Sequence, residues 1–125
     1  MATVLLVDDE PSVREVVRLY AEANGLTVVG EAVNGREGVD LTARLQPDVI
    51  VLDHEMPEMT GLDALPRIRR RAPNAVIVFY TGGTAGIAEH ALAMGAAAYV
   101  TKNESPKALV QTVVALVLGR PRVAP

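Results

Sequence analysis

The chain has 125 residues, half of them hydrophobic and 22% charged, with a formal net charge of −3 and no cysteine. That length suits one domain able to bury a core without covalent staples, and the missing cysteines exclude a disulfide scaffold and any thiolate metal or redox site. Two distant histidines, His54 and His90, make a poor zinc site, and the mild acidity argues against a nucleic-acid-binding surface. The N-terminal MATVLLVD reaches acidic residues before a secretory hydrophobic region can form. No apolar stretch approaches the roughly 20 residues of a membrane span. These features predict a soluble, cytoplasmic domain that touches neither membrane nor nucleic acid directly.

Thr3–Asp8 (TVLLVD) is the first of five short apolar runs. Pro11 then suits a first helical turn, with Val13, Val16, Val17 and Tyr20 at i, i+3, i+4 and i+7 and Asn24-Gly25 as a stop. Leu26–Ala32 reads as a second strand, and a second helix runs from about Gly35 to Gln46, ended by Pro47. Asp48–Asp53 is the third strand. The third helix begins near Gly61 and stops before Pro73, with Pro66 about a turn inside it, where a proline costs up to ~3 kcal/mol without a kink. After the fourth run, Ala75–Thr81, the segment Gly82-Gly83-Thr84-Ala85-Gly86 predicts a helix that starts late or is mobile. The fifth run is Ala97–Lys102. A last helix, about Ser105 to Leu118, is apolar over roughly half its circumference, wider than the ~100° stripe of a one-sided helix. That width fits either a broad core face or a helix that also meets a partner. Most of the runs are nearly continuous in Val, Ile and Leu, the pattern of strands buried on both faces. Single helices between such strands imply right-handed crossovers and a parallel sheet covered on both sides. Residues 1–118 read as this domain, and 119–125 as a tail or the start of a linker.

In a parallel α/β sheet, ligands sit at the carboxyl ends of the strands. There the first run delivers Asp8 and Asp9, the third Asp53, the fourth Thr81 and the fifth Lys102. Taken singly, each has a bland explanation: a helix dipole for Asp8-Asp9-Glu10, a loop acid for Asp53, a helix cap for Thr81, a solvated charge for Lys102. Together they need independent coincidences on one edge. Ten arginines against two lysines also mark Lys102 as a position where a compact ammonium is wanted. Crowded carboxylates repel unless a cation neutralises them, and an all-oxygen donor set points to Mg²⁺ (or Mn²⁺). Asp53, central and free, suits a nucleophile forming an aspartyl phosphate. Lys102 and the Thr81 hydroxyl would pair with phosphoryl oxygens.

The Asp8-Asp9 pair, Val51-Leu52-Asp53 with Met56-Pro57 and Gly61, then Thr81, Tyr99 and Lys102 resemble the response-regulator receiver (CheY-like) domain, over roughly Thr3 to Leu118. The resemblance implies a flavodoxin-like sheet of order 2-1-3-4-5 with five helices. It implies a phosphoacceptor that takes its phosphoryl group from a histidine kinase or phosphotransfer protein, with self-catalysed transfer and dephosphorylation instead of multiple turnover. Asp53 is then the phosphorylation site; Asp9, Asp53 and the backbone carbonyl of His54 bind the metal directly, and Asp8 acts through water. Thr81 and Lys102 grip the phosphoryl group, and Tyr99 is an aromatic switch that turns inward as Thr81 moves. The surface of helix four, strand five and helix five would then change its affinity for a partner, either a homodimer mate or an output domain.

Several positions depart from that pattern. Asn103 follows Lys102 where the family usually has proline, leaving a cis or a trans bond open. Glu55 adds a charge at the rim, where it could slow phosphate entry, contact the metal through water or orient an attacking water. Gly82 and Gly83 leave the acyl phosphate more open to hydrolysis. Three rival readings remain: a haloacid-dehalogenase-type phosphatase, whose nucleophile lies on an early strand with a second Asp two residues on; a flavin or nucleotide binder, for which Asp-Asp-Glu-Pro is a repelling first loop; and an interaction module that takes no phosphate.

Overall fold

A computed structural model describes residues 1–83 and 86–119. Strands β1 (Thr3–Val7), β2 (Thr27–Ala32), β3 (Val49–Leu52), β4 (Val76–Thr81) and β5 (Ala98–Thr101) alternate with helices α1 (Pro11–Ala23), α2 (Gly35–Leu45), α3 (Gly61–Arg71), α4 (Ile87–Ala93) and α5 (Pro106–Leu118). The strands pair in parallel in the order β2-β1-β3-β4-β5, the CheY-like arrangement.

Side chains alternate across a strand, and the continuous apolar runs use both faces. Leu5, Val7, Ile50, Leu52, Ile77 and Phe79 point to one side, where Ala64, Leu65 and Ile68 of α3 and Ala91 of α4 cover them. Val4, Leu6, Val49, Val51, Val78 and Tyr80 point to the other, against Val17 and Ala21 of α1 and Leu109, Val110 and Val113 of α5. β3 is buried along its whole length, whereas the edge strands β2 and β5 are only partly buried.

The helices depart from expectation in instructive ways. In α1, Val16 and Tyr20 are exposed, and the core row is Val13, Val17 and Ala21. The flank between that row and solvent belongs to Arg14 and Arg18, which reach across to Glu31 on β2. α3 runs through Pro66 without interruption. Pro66 is exposed, on the side of α3 away from the core residues Ala64, Leu65 and Ile68. α4 does start late, at Ile87 behind a left-handed Gly86 (φ 88°), while Thr84 and Ala85 lie outside the described residues. The width of α5 is mostly core: Val114, Leu116 and Val117 pack partly buried beside the inner row, and Leu118 is 75% exposed. Arg120–Pro125, and with them the tail-or-linker reading, fall outside the described residues. The Lys102–Asn103 bond is trans. No described helix is long and apolar enough to cross a membrane.

Candidate functional site

The site follows from the sheet register. Val7 of β1 lies opposite Leu52 of β3, and Thr81 of β4 opposite Thr101 of β5, so the residues that follow them emerge at one edge. Backbone bonds continue the ladder past the strand ends: Asp8 N–H donates to the Ala32 carbonyl (3.0 Å), Asp53 N–H to Val7 (2.9 Å) and Lys102 N–H to Thr81 (2.8 Å). After β1 the chain turns to β2, and after β3 it turns the other way to β4, so Asp8 and Asp53 flank the topological switch point.

Lys102 organises the edge. Its Nζ lies 2.9 Å from Asp8 Oδ2, 3.0 Å from Glu10 Oε1 and 3.4 Å from Asp53 Oδ2. Burial acts to lower its pKa, but the bonds to Asp8 and Glu10 and the charge of Asp53 outweigh it and hold the ammonium above the ordinary lysine range. Both aspartates move up as well. For Asp53, burial dominates over the lowering influence of the Thr81 hydroxyl and Lys102; for Asp8, burial outweighs the Glu10 backbone N–H and Lys102, with Asp53 repulsion adding to it. One ammonium thus under-neutralises a crowded acidic set.

Carboxylate oxygens of Asp8, Asp9, Glu10 and Asp53 all lie within 4.8 Å of one another. Asp53 Oδ1 is buried and has no hydrogen-bond partner among the described residues. A buried carboxylate oxygen left unpartnered in an excess of negative charge is costly, and a hard divalent cation would satisfy it. The residues present therefore fit Mg²⁺ or Mn²⁺. Beside them lies a cavity of about 260 Å³ lined by Asp9, Glu10, Asp53, Glu55, Thr81, Gly82 and Lys102.

His54, whose carbonyl is expected at the metal, lies on the loop between β3 and α3. Its carbonyl accepts the Gly61 N–H (2.9 Å) and its Nδ1 accepts the Leu62 N–H (3.3 Å), so both acceptors serve the N-terminus of α3. His54 is absent from the cavity lining, and Glu55 is the loop residue that reaches it. Thr81 is buried at the end of β4 and caps no helix, since Gly86 precedes α4. Tyr99 is half-buried, its phenol pushed up by burial and then by the charges of Asp53 and Glu55. A side chain at Gly83 would stand 3.8 Å from the Tyr99 hydroxyl, whereas one at Gly82 would meet nothing within 4 Å.

Three contributors escape a reading based on strand ends. Glu10 is the third carboxylate on Lys102, and its place directly after the acidic pair is the signal for it. Arg14 donates from Nη1 to the Asp8 carbonyl (2.6 Å) while its Nε binds Glu31 Oε1 (2.9 Å), fixing the β1–α1 loop to β2. Gly61 packs its Cα side against the backbone of Asp53 and His54 so closely that an added Cβ would collide with the Asp53 carbonyl. Gly61→Ala must therefore displace the loop carrying the candidate nucleophile. It is expected to lower stability by about 2 kcal/mol, in the range of overpacking, and to weaken magnesium binding; urea melts with and without Mg²⁺ check both.

An acidic pocket with a single lysine, at the switch point of a five-stranded parallel sheet of order 2-1-3-4-5, marks a CheY-like α/β domain. Residues 4–114 match the family described as response regulator receiver domain, and the chain belongs to that family. It is 36% identical to the transcriptional regulatory protein YdfI of Bacillus subtilis over its full length, and 39% identical to the nitrate/nitrite response regulator NarL of Escherichia coli over 88% of it. It spans 59% and 52% of those two proteins. A crystal structure of a LuxR-family two-component response regulator from Aurantimonas superposes with a TM-score of 0.88 at 36% identity, covering all of this chain and 91% of that one.

Proposed function

We propose that this receiver accepts a phosphoryl group on Asp53 from the phosphohistidine of a histidine kinase or phosphotransfer protein, in a cytoplasmic relay. The observation that carries this reading is the state of the Asp53 carboxylate, with one oxygen 3.4 Å from Lys102 and the other buried without a partner. An Asp53 oxygen attacks phosphorus as the N–P bond breaks, and the bonding pair leaves with the imidazole. Lys102 and the Thr81 hydroxyl then hold the transferred oxygens. Water later attacks phosphorus, releases phosphate and restores the carboxylate, so the chain is a phosphoacceptor and not a multiple-turnover enzyme. Asp9 and Asp53 would hold Mg²⁺ or Mn²⁺ together with a backbone carbonyl of the His54-Glu55 loop, and Asp8 would act through water. When bound, the ion supplies neutralisation of carboxylate and phosphate charge.

Phosphorylation adds charge and strong acceptors beside Thr81. Movement of Thr81 toward them opens room for Tyr99, and the glycine-rich approach to α4 is the two-state element this biases. The α4–β5–α5 surface is then the output face, for a homodimer or an output domain. Sedimentation that shows the same concentration-independent monomer with and without a phosphate mimic would remove the homodimer.

Incubation with Mg²⁺ and acetyl phosphate followed by intact mass tests the acceptor: the wild type gains one phosphate and Asp53→Ala none. Equal gain by both would overturn the assignment. With Gly82 and Gly83 leaving the phosphoryl group open to water, its half-life is expected to fall within an hour, and Gly82→Leu, which fills open space, should lengthen it severalfold.

A further inference from the structure

A second cavity, about 450 Å³ against the 260 Å³ beside Asp53, lies between α2 and α3. It is lined by Arg36, Val39, Asp40, Met59, Arg67, Arg70 and Arg71. Four guanidinium groups face one carboxylate there, in a chain whose net charge is −3. Three other arginines are committed, Arg14 and Arg18 to Glu31 and Arg69 to the carbonyls of Pro73, Ala75 and Gly95, while Arg44 stands exposed on α2 without a partner among the described residues. The guanidinium groups of Arg36, Arg67, Arg70 and Arg71 have no hydrogen bond or ion pair among the described residues. Arg70 and Arg71 suit the last turn of α3, where cations complement the helix dipole. Arg36 does not share that explanation. It is the second residue of α2, where a cation opposes the positive end of the dipole. Four cations around a single carboxylate leave an excess of positive charge, and an anion from outside would relieve it.

We propose that the α2–α3 cavity binds a small ligand carrying adjacent phosphate groups on a flat ring, the chemistry of a nucleotide. The volume lies within the range of small-molecule sites. Guanidinium forks match phosphate oxygens in pairs. The half-buried Val39 and Met59 give an apolar floor for a ring, and Asp40 offers the one acceptor for an amino group on it. The site uses none of the residues around Asp53 and stands or falls independently of phosphorylation.

Calorimetric titration with ATP, pyrophosphate and adenosine, in EDTA so that the acidic pocket cannot recruit them through a metal, is the test. ATP is expected to saturate one site, pyrophosphate to compete for it, and adenosine alone not to bind. Arg67→Gln combined with Arg70→Gln should weaken ATP by about tenfold or more, and Arg36→Gln, on the other helix, should weaken it as well. Arg44→Gln, an exposed arginine of α2 outside the cavity, should leave it unchanged. Absence of saturable binding, an equal loss in Arg44→Gln, or binding of an oligoglutamate peptide but not ATP would each overturn the proposal, the last in favour of an acidic partner protein.

Discussion

Asp53→Asn is expected to raise the thermal midpoint of the metal-free protein by a few degrees while abolishing phosphoryl uptake. The carboxylate is 2% exposed, leaves one oxygen unpartnered and sits among three other acids. Its charge is thus a burden on the fold that is kept for chemistry. Removing it leaves Lys102 with Asp8 and Glu10 as partners, so no buried cation is orphaned. The pH dependence follows the same logic. Asp53 and Asp8 have pKa values raised above the ordinary 3.8, so the folded state binds protons more readily than the unfolded chain. Stability contributed by these protons is present below 3.8 and is lost as pH rises through the raised values. Metal-free wild type should therefore lose stability as pH rises above 3.8 through the raised values, Asp53→Asn should lose less, and Mg²⁺ should flatten the slope. Melts across pH in EDTA and in Mg²⁺ check all three.

Lys102→Ala is expected to act in the opposite sense. The ammonium is 18% exposed and is the one cation within ion-pair distance of Asp8, Glu10 and Asp53 among the described residues. Its loss leaves four carboxylates facing one another. Breaking a buried pair costs several kcal/mol, but Glu10 is 56% exposed and solvent screens part of the effect, so a loss of about 1–3 kcal/mol is expected. Mg²⁺ should restore most of this stability, because it neutralises the same group. It should not restore phosphoryl uptake, expected to slow roughly a hundredfold when a charged contact to the transferred oxygens is gone. Urea melts and intact-mass time courses separate the two effects. In the wild type, the raised Lys102 pKa adds a stabilising contribution that is complete below the ordinary lysine value of 10.5 and disappears as pH climbs through the raised one.

The strands were legible because central parallel strands are buried on both faces and must be apolar throughout. Four of the five runs end in Asp8, Asp53, Thr81 and Lys102, and these ends alone place the chemistry at one edge. The helices were less so. A valine at position 16 and a tyrosine at position 20 satisfy helical periodicity, yet Arg14 and Arg18 compete for the same flank by pairing with Glu31, a contact between distant segments that periodicity does not encode. His54 and Glu55 illustrate the same limit at the site. The His54 carbonyl and Nδ1 accept from Gly61 and Leu62 at the start of α3, contacts seven and eight residues away that residue type alone does not encode. Glu10 has a sufficient local explanation, the helix dipole, which masks the signal of its place after the acidic pair, and the reach of Lys102 across the sheet edge shows its second use.

Borohydride reduction of the phosphorylated protein tests the central assignment most directly, because it converts an acyl phosphate on aspartate to the homoserine alcohol and leaves free carboxylates alone. After incubation with acetyl phosphate and Mg²⁺, peptide mapping should find homoserine at position 53 and aspartate at positions 8 and 9, with no conversion when EDTA replaces the metal. Homoserine at position 8 or 9, or an unchanged residue 53 in protein that has gained phosphate, would contradict the account.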